Sequence, residues 1–441
     1  MAAMLLRALA RLLVATVCGL AFGATVQMLC VALLSGSYSG TRDSVVYWAT
    51  GQQLAHHANP YDPAAILHRE RSANGFPADR SPLFMRNPPW NLPLTLPLGF
   101  ASAWLGSLLW ILFLMACMAL AVRLLWLMHG RPGNHRDWLA YSFGPGLICL
   151  INGQISALIL LGLVLFLRLH KKRPFLAGMA LWLFGLKPHL FLPFGAVLLV
   201  WIVLSRSYRL LAGLAFAFLA SCGLTYLVDP QAWTQYLHLV HSSGIDRDFI
   251  PCLSFYLRFI PVPHAFWLQY LPAALGCVWA LRYYWPRRAV WDWTLHGSPL
   301  MLVSIMVAPY SWLFDQILII PAVLQGAYVT RSRKLLIWAA LLSAGAEIGM
   351  ICNLWHPSAV YLWTLWSAPA WLAWYLMADQ QGFVPRWLAA KGIGRFQPLH
   401  LACPPQSETS FQPIAPDTLT ADGFALCTVE QQQVIGSVPA E

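Results

Sequence analysis

Long apolar runs fill most of the chain, and short polar or basic segments separate them. Many of the runs approach the length of about 20 residues that a helix needs to cross a bilayer. We predict an all-α polytopic membrane protein of about twelve transmembrane helices, and a count of ten to thirteen also fits the pattern. The predicted spans are residues 12–34, 101–127, 138–151, 155–169, 175–186, 190–204, 210–228, 265–285, 299–309, 316–329, 335–354 and 360–377. Three of them are short enough to be re-entrant or tilted, namely 138–151, 175–186 and 299–309.

Composition excludes a water-soluble or disordered chain of this length. Hydrophobic residues make up 59% of the sequence and charged residues only 10%, whereas soluble domains are about 25% charged. The first apolar run exceeds the core of about 7–15 residues of a signal peptide, so it predicts a retained anchor helix. The 10 cysteines lie mostly within apolar runs and form no CxxC pair, so neither a zinc site nor a disulfide framework is indicated.

Basic residues predict the orientation of the chain. Most of the 28 Lys and Arg residues lie in the loops of one side, for example at 168–173, 282–288 and 331–334. By the positive-inside rule this side is cytoplasmic, which places both termini in the cytoplasm of a multi-pass cell (inner or plasma) membrane protein. The same distribution accounts for the net charge of +11 without a nucleic-acid partner. Residues 1–378 form the predicted membrane domain, and 379–441 form a polar, disordered cytoplasmic tail.

The first predicted external loop, residues 35–100, carries a candidate catalytic carboxylate. Asp43 follows the first span, and residues 44–57 predict a short extracytoplasmic loop helix that lies on the outer membrane surface. The dipole of that helix would favour an ionised carboxylate at its N-terminus. An N-cap role for Asp43 is the more frequent role for this residue type, and it is compatible with the catalytic role.

Further polar residues interrupt the apolar pattern on the same predicted face. They are Arg42, Arg86, Asn87, Gln154, Lys187, His189 and Asp315. A lysine at the depth of Lys187 is costly unless it snorkels to the surface or meets an anion, and snorkelling is the more common outcome. Asp229, Asp246 and Asp248 share this face. The Asp246-Arg247-Asp248 spacing suits a metal, but a solvated loop explains it better.

The ordered set of these segments resembles glycosyltransferase family 87, whose members have the GT-C architecture. The matching pieces are Asp43-Ser44-Val45-Val46-Tyr47-Trp48, Asn59-Pro60-Tyr61-Asp62, Asn87-Pro88-Pro89 with 94–98, Asn152-Gly153-Gln154-Ile155-Ser156, Ala177-Gly178 with Lys187-Pro188, and Ala308-Pro309-Tyr310-Ser311 with Asp315 and Pro321. Each matching piece alone is weak evidence for the resemblance. The resemblance runs over about residues 12–377 and leaves out the tail.

The resemblance implies a GT-C-like membrane enzyme that transfers a hexose from a polyprenyl-phosphate sugar to a glycolipid or glycan hydroxyl on the extracytoplasmic face. Mannose is the family's best-known sugar. Asp43 matches the position of the family's catalytic aspartate, and the matches at Lys187 and Asp315 are positional only. A carboxylate can act as the general base, and Arg42, Arg86, Lys187 or His189 could stabilise a phosphate leaving group without a metal or other cofactor. The implied partners are membrane lipids, the lipid donor and the acceptor.

Two other function classes remain open at this stage. A transporter or lipid flippase would need charges near the bilayer midplane, and Glu347 is the one candidate, although such a residue is more often a helix–helix hydrogen-bond partner. A non-catalytic scaffold would act through the tail. The transferase is favoured because the unexplained polar residues gather at one face rather than along a path through the bilayer.

Overall fold

Helices account for all the regular secondary structure in the part of the chain that the computed structural model describes, which is residues 2–79, 81–242, 252–259, 265–355 and 364–378. The expectation of an all-α protein is therefore confirmed for these residues. The predicted tail, 379–441, lies outside them. The α-helices are α1 (Ala2–Leu34), α2 (Ser44–Ala55), α3 (Pro63–Ser72), α4 (Leu92–Thr95), α5 (Ala103–Met128), α6 (Trp138–Tyr141), α7 (Gly144–Asn152), α8 (Ser156–Leu169), α9 (Pro174–Leu181), α10 (Leu192–Leu204), α11 (Tyr208–Val228), α12 (Ala232–Ser242), α13 (Leu271–Tyr284), α14 (Trp293–Val307), α15 (Ile320–Val329), α16 (Arg333–Trp355) and α17 (Ser367–Ala378).

Four described helices are long and apolar enough to cross a membrane. They are Ala8–Leu34, Ala103–Met128, Tyr208–Val228 and Arg333–Cys352. A fifth candidate is the pair Pro174–Leu186 and Pro188–Leu204, whose halves meet at an angle of 118°. The count of twelve spans is thus not confirmed, because Ser156–Leu169, Trp293–Val307 and Leu313–Val329 are apolar but shorter.

The outward faces of these helices carry large apolar side chains. On α11, Leu219 and Leu227 are 69% and 80% exposed, and on α1 Leu20 is 69% exposed. Apolar surface on this scale is unfavourable in water and favourable against lipid tails. The exposed faces and the candidate spans together support a membrane protein.

One predicted span is broken in the structure. Residues 138–151 form two short helices, α6 and α7, with a break at Ser142 and Phe143. Gly144 and Pro145 follow the break, and Pro at the first helical positions starts a helix without losing a bonded N–H. The two spans predicted at 175–186 and 190–204 likewise form the sharply bent pair, with Lys187 at the bend.

The predicted surface helix is a buried helix instead. Residues 44–55 do form α2, but ten of its twelve residues are buried, including Val45, Tyr47, Trp48 and Gln53. Trp48 donates a hydrogen bond from Nε1 to the Ala101 carbonyl at 3.0 Å. The placement of this helix on the membrane surface was therefore wrong, since polar residues such as Gln53 are satisfied inside the protein rather than by water.

Aromatic packing joins the central helices. The rings of Phe166 on α8 and Trp293 on α14 lie 5.2 Å apart between centroids, and Phe194 on α10 lies 4.9 Å from Trp293. Each of the three side chains is less than 2% exposed. Such close aromatic contacts fix the relative positions of α8, α10 and α14. The N-terminal ends of α8 and α10 and the loop after α14 carry the residues described next.

Candidate active site

A chain of hydrogen bonds joins four polar residues that are far apart in the sequence. Gln154 donates from Nε2 to Asp43 Oδ2 at 2.7 Å. Lys187 donates from Nζ to Gln154 Oε1 at 3.3 Å and to Asp315 Oδ1 at 2.7 Å. Asp43, Gln154, Lys187 and Asp315, which we call the central network, were all predicted to lie on one face.

Hydrogen-bond chemistry fixes the orientation of the Gln154 amide. A lysine ammonium can only donate and an ionised carboxylate can only accept. Lys187 must therefore face the amide oxygen of Gln154, and the amide nitrogen then faces Asp43. Gln154 thus transmits the position of Lys187 to the Asp43 carboxylate, and it limits how that carboxylate can rotate.

Lys187 and Asp315 form a buried ion pair. Their side chains are 10% and 1% exposed. Ser156 donates to Asp315 Oδ1 at 2.6 Å, and the Trp312 backbone N–H donates to Asp315 Oδ2 at 3.0 Å. Lys187 therefore meets an anion instead of snorkelling. Ser156 also accepts from Lys187 Nζ at 3.1 Å, so each of the three donors of the ammonium has an acceptor.

Asp43 does not act as an N-cap. It has helical dihedral angles, φ −67° and ψ −17°, and within the described residues its side chain bonds to no backbone N–H of α2. The preceding residue, Arg42, is 7% exposed and donates from Nη1 to the Ala32 carbonyl at 2.7 Å. Burial lowers the pKa of the Arg42 guanidinium to about 10. This contact ties the end of α1 to the start of α2 and favours a structural role for Arg42, whose predicted phosphate role remains untested.

Gly153 has a left-handed backbone conformation that places Gln154 next to Asp43. Gly153 ends α7 with φ +66°, and the Gln154 N–H donates back to the Cys149 carbonyl at 2.9 Å. This is the usual way for a helix to end on glycine. A Cβ at position 153 would lie 2.6 Å from Ser44 Cβ, next to Asp43. Trp110 holds the turn through a 2.7 Å bond from Nε1 to the Gly153 carbonyl.

We predict that Gly153→Ala destabilises the protein by about 1–3 kcal/mol, because alanine is strained at positive φ, and the new methyl group would also push against Ser44. Thermal unfolding in detergent measures the loss. Gly133→Ala is the control, since a Cβ there meets no atom within 4 Å and Gly133 is not among the glycines with positive φ. Equal melting temperatures for the two variants would contradict the role assigned to the turn.

Asn87 and His189 flank the central network, and Arg86 precedes Asn87 in the chain. Asn87 donates from Nδ2 to the carbonyl of Leu186, the neighbour of Lys187, at 2.8 Å. The Arg86 guanidinium lies 5.3 Å from the centroid of the Phe84 ring. His189 stacks on Tyr310 with centroids 4.2 Å apart, and its buried Nε2 has no hydrogen-bond partner in the described residues. The structure thus gathers the predicted site residues around the bend at Lys187, except Arg42 and Arg86.

Two residues at the site were not predicted. Ser156 completes the buried ion pair, and Tyr47, which is 3% exposed, lies one helical turn after Asp43. Burial raises the pKa of the Tyr47 phenol, Lys187 lowers it and Asp43 raises it, so both charges lie close to the ring. Spacing of four residues on a helix was the available signal for Tyr47, whereas a lone serine offered none.

In the part of the chain that the structure describes, Asp229 makes no hydrogen bond with the central network. Asp229 accepts at Oδ1 from the Gln231 N–H at 2.9 Å, which is a local turn bond. Asp246 and Asp248 lie outside the described residues, so their predicted loop role is untested. Within the described residues, no group of three or more His, Cys, Asp or Glu side chains is arranged to hold a metal ion.

Comparison with known proteins supports one family. The sequence model of glycosyltransferase family 87 matches residues 84–250. This match supports membership of glycosyltransferase family 87. The chain has no match among curated proteins or solved structures. The matched range contains Arg86, Gln154 and Lys187, while Asp43 and Asp315 lie on either side of it and reach the site through the fold. The family match and the apolar helices suggest a membrane glycosyltransferase.

Proposed function

We propose that this protein transfers a hexose, with mannose as the first candidate, from a polyprenyl-phosphate sugar to a hydroxyl of a glycolipid or glycan acceptor. The reaction takes place at the extracytoplasmic face, with Asp43 as general base and without a metal or other cofactor. The observation that carries the proposal is the Gln154 bond to Asp43. It orients a carboxylate that does not cap its own helix.

The proposed reaction is a single displacement. The acceptor oxygen forms a bond to the anomeric carbon while the bond from that carbon to the phosphate oxygen breaks. Asp43 takes the hydroxyl proton, and the electron pair of the broken bond leaves with the lipid phosphate. A base positioned in this way contributes about 10²–10⁴-fold to a rate.

Developing charge on the lipid phosphate needs donors beside the central network. All three Lys187 donors already have acceptors, so we assign Lys187 to positioning Gln154 rather than to binding the phosphate. His189 lies two residues after Lys187, and Arg86 precedes Asn87, which bonds to the Leu186 carbonyl. These two residues are the proposed phosphate contacts. A guanidinium suits phosphate because it offers several donors in a planar array.

Donor specificity tests the proposal. Purified protein in nanodiscs is given either a radiolabelled polyprenyl-phosphate hexose or a nucleotide-diphosphate hexose, with and without EDTA, together with a membrane glycolipid extract. We expect covalent product from the lipid-phosphate donor alone, at the same rate with EDTA. Transfer only from the nucleotide sugar would overturn the donor class. Movement of the lipid donor across proteoliposomes without any product would support the flippase alternative.

Gln154 provides a second prediction, because it acts on Asp43 without reacting itself. Gln154→Met removes both hydrogen bonds, and we expect kcat to fall by about 100-fold, as for a misplaced catalytic group. The KM for the donor should change little. Gln154→Glu should be as harmful, since it places a second carboxylate against Asp43.

Asn152→Leu is the matched control for Gln154→Met. Asn152 is half-buried two residues away and bonds only within its own helix among the described residues, from Nδ2 to the Ile148 carbonyl at 3.0 Å. Near-normal kcat in Gln154→Met, or an equal loss in both variants, would contradict the positioning role.

A further inference from the structure

A pocket lies between α1, α6 and α16, on different residues from the central network. Its volume is about 390 Å³. Helix α1 contributes Gly19 and Phe22, α6 contributes Tyr141, and α16 contributes Ala344 and Glu347. The lining is almost entirely apolar, and none of the lining residues is Lys, Arg or His.

The pocket lies near the middle of two candidate membrane spans. Gly19 belongs to the span Ala8–Leu34, and Ala344 belongs to the span Arg333–Cys352. Each is close to the centre of its span. A molecule bound there is therefore surrounded by protein on one side and by the hydrocarbon region on the other, and membrane lipids can reach it.

Glu347 gives this apolar pocket one polar feature. The residue is only 1% exposed. One carboxyl oxygen, Oε2, is buried and has no hydrogen-bond partner among the described residues. A buried acceptor without a partner is unfavourable, so a ligand that donates a hydrogen bond to it would bind more tightly than a purely apolar one.

Beside the pocket, the helical backbone is interrupted between α6 and α7, and a side chain of α16 hydrogen-bonds to the interruption. At the break between α6 and α7, the Ser343 hydroxyl donates to the Ser142 carbonyl and accepts from the Gly144 N–H, each at 2.6 Å. Non-helical backbone at membrane depth is tolerated where it is buried in protein or lines a cavity. The break leaves no unsatisfied backbone group at these two positions, and it lets Gly144 approach Glu347, whose Cγ would lie 2.9 Å from a Cβ at 144.

Charge decides which class of ligand fits. A phosphate headgroup would find no cation among the lining residues. A permanent cation at this depth is costly to bring into the bilayer. The remaining class is an uncharged, mainly apolar molecule with a hydrogen-bond donor.

We propose that this pocket is a binding site for an uncharged lipid alcohol, whose chain fills the apolar groove and whose hydroxyl group donates to Glu347 Oε2. A free membrane alcohol and the alcohol form of a polyprenyl lipid share this chemistry. The site is independent of the proposed transfer reaction, because none of its lining residues belongs to the central network.

Photolabelling of the full-length protein in phosphatidylcholine nanodiscs tests this site. The probes are hexadecanol with a mid-chain diazirine and its methyl ether, which has the same chain but no donor. We expect the alcohol to label peptides of α1 and α16 about tenfold more than the ether does at equal concentration, because only the alcohol can donate to the carboxylate. Unlabelled farnesol and hexadecanol as competitors distinguish isoprenoid from straight-chain alcohols.

Two glycines of α1 provide a matched pair of variants. A Cβ at Gly19 or at Gly23 meets no atom within 4 Å, so a side chain can start at either position, but only Gly19 lines the pocket. Gly19→Leu should abolish the labelling and Gly23→Leu should not. Glu347→Gln should keep the preference for the alcohol, and Glu347→Leu should remove it. Equal labelling of the wild type by both probes, or unchanged labelling of Gly19→Leu, would overturn the proposal.

Discussion

Asp43→Asn is expected to reduce hexose transfer by about 10²–10⁴-fold while the protein still folds and inserts. Asparagine keeps the size of the side chain and can still accept a hydrogen bond from Gln154, but it cannot take the acceptor's proton. The loss should therefore appear in kcat, with little change in donor binding. Initial rates with a lipid-phosphate hexose in nanodiscs, together with the melting temperature, measure both effects.

Asp62→Asn is the control for this substitution. Asp62 lies in the same predicted external loop and caps α3, where its Oδ1 accepts from the Ala64 N–H at 2.9 Å. Asparagine is as good an N-cap as aspartate, so we expect normal transfer and stability. Transfer at the wild-type rate by Asp43→Asn would show that another group is the base.

Lys187→Met is expected to destabilise the protein by about 3–5 kcal/mol, because it leaves Asp315 buried without its cation. The double variant Lys187→Met/Asp315→Leu removes both charges, and we expect it to recover most of the lost stability. It should not recover transfer, since Gln154 no longer has a donor to orient its amide. Unfolding in detergent and transfer rates, measured on the same preparations, separate the two effects.

A second ion pair serves as the comparison. Lys171 and Asp292 lie 2.6 Å apart, but their side chains are 61% and 36% exposed. Burial raises the pKa of Asp292, yet the Lys171 ammonium and the Thr294 N–H outweigh burial and hold it below its ordinary value. Because the pair is exposed, Lys171→Met should cost only about 0–1 kcal/mol. Similar losses of stability in Lys171→Met and Lys187→Met would contradict the claim that burial makes the Lys187–Asp315 pair costly to break.

Much of the site could be predicted from the sequence, because a polar residue within an apolar segment is unfavourable unless it has a hydrogen-bond partner or a function. Gln154, Lys187 and Asp315 interrupt apolar segments, and the basic loops predicted that they share one face with Asp43. Ser156 was missed because a single serine fits anywhere in a membrane helix. Tyr47 was missed as a site residue because aromatic residues are common throughout this sequence.

The parts of the fold that were not predicted depend on tertiary contacts. Hydropathy cannot distinguish a short apolar helix that is buried in protein from one that crosses a bilayer, so α7, α8 and α14 counted equally toward twelve spans. The same limit led to the wrong placement of α2 on the surface. The bend at Lys187 was predicted only as an interruption, because its 118° angle and the ion pair with the distant Asp315 are not visible in local hydropathy.

A structure with a short-chain polyprenyl-phosphate hexose bound in the presence of an acceptor glycolipid tests the central claim most directly. We predict that the anomeric carbon lies beside the central network, with an Asp43 carboxylate oxygen within about 3.2 Å of the acceptor hydroxyl and the phosphate contacted by Arg86 or His189. A donor sugar bound away from the bend at Lys187, or an acceptor hydroxyl that neither contacts Asp43 nor reaches it through one water, would contradict the account.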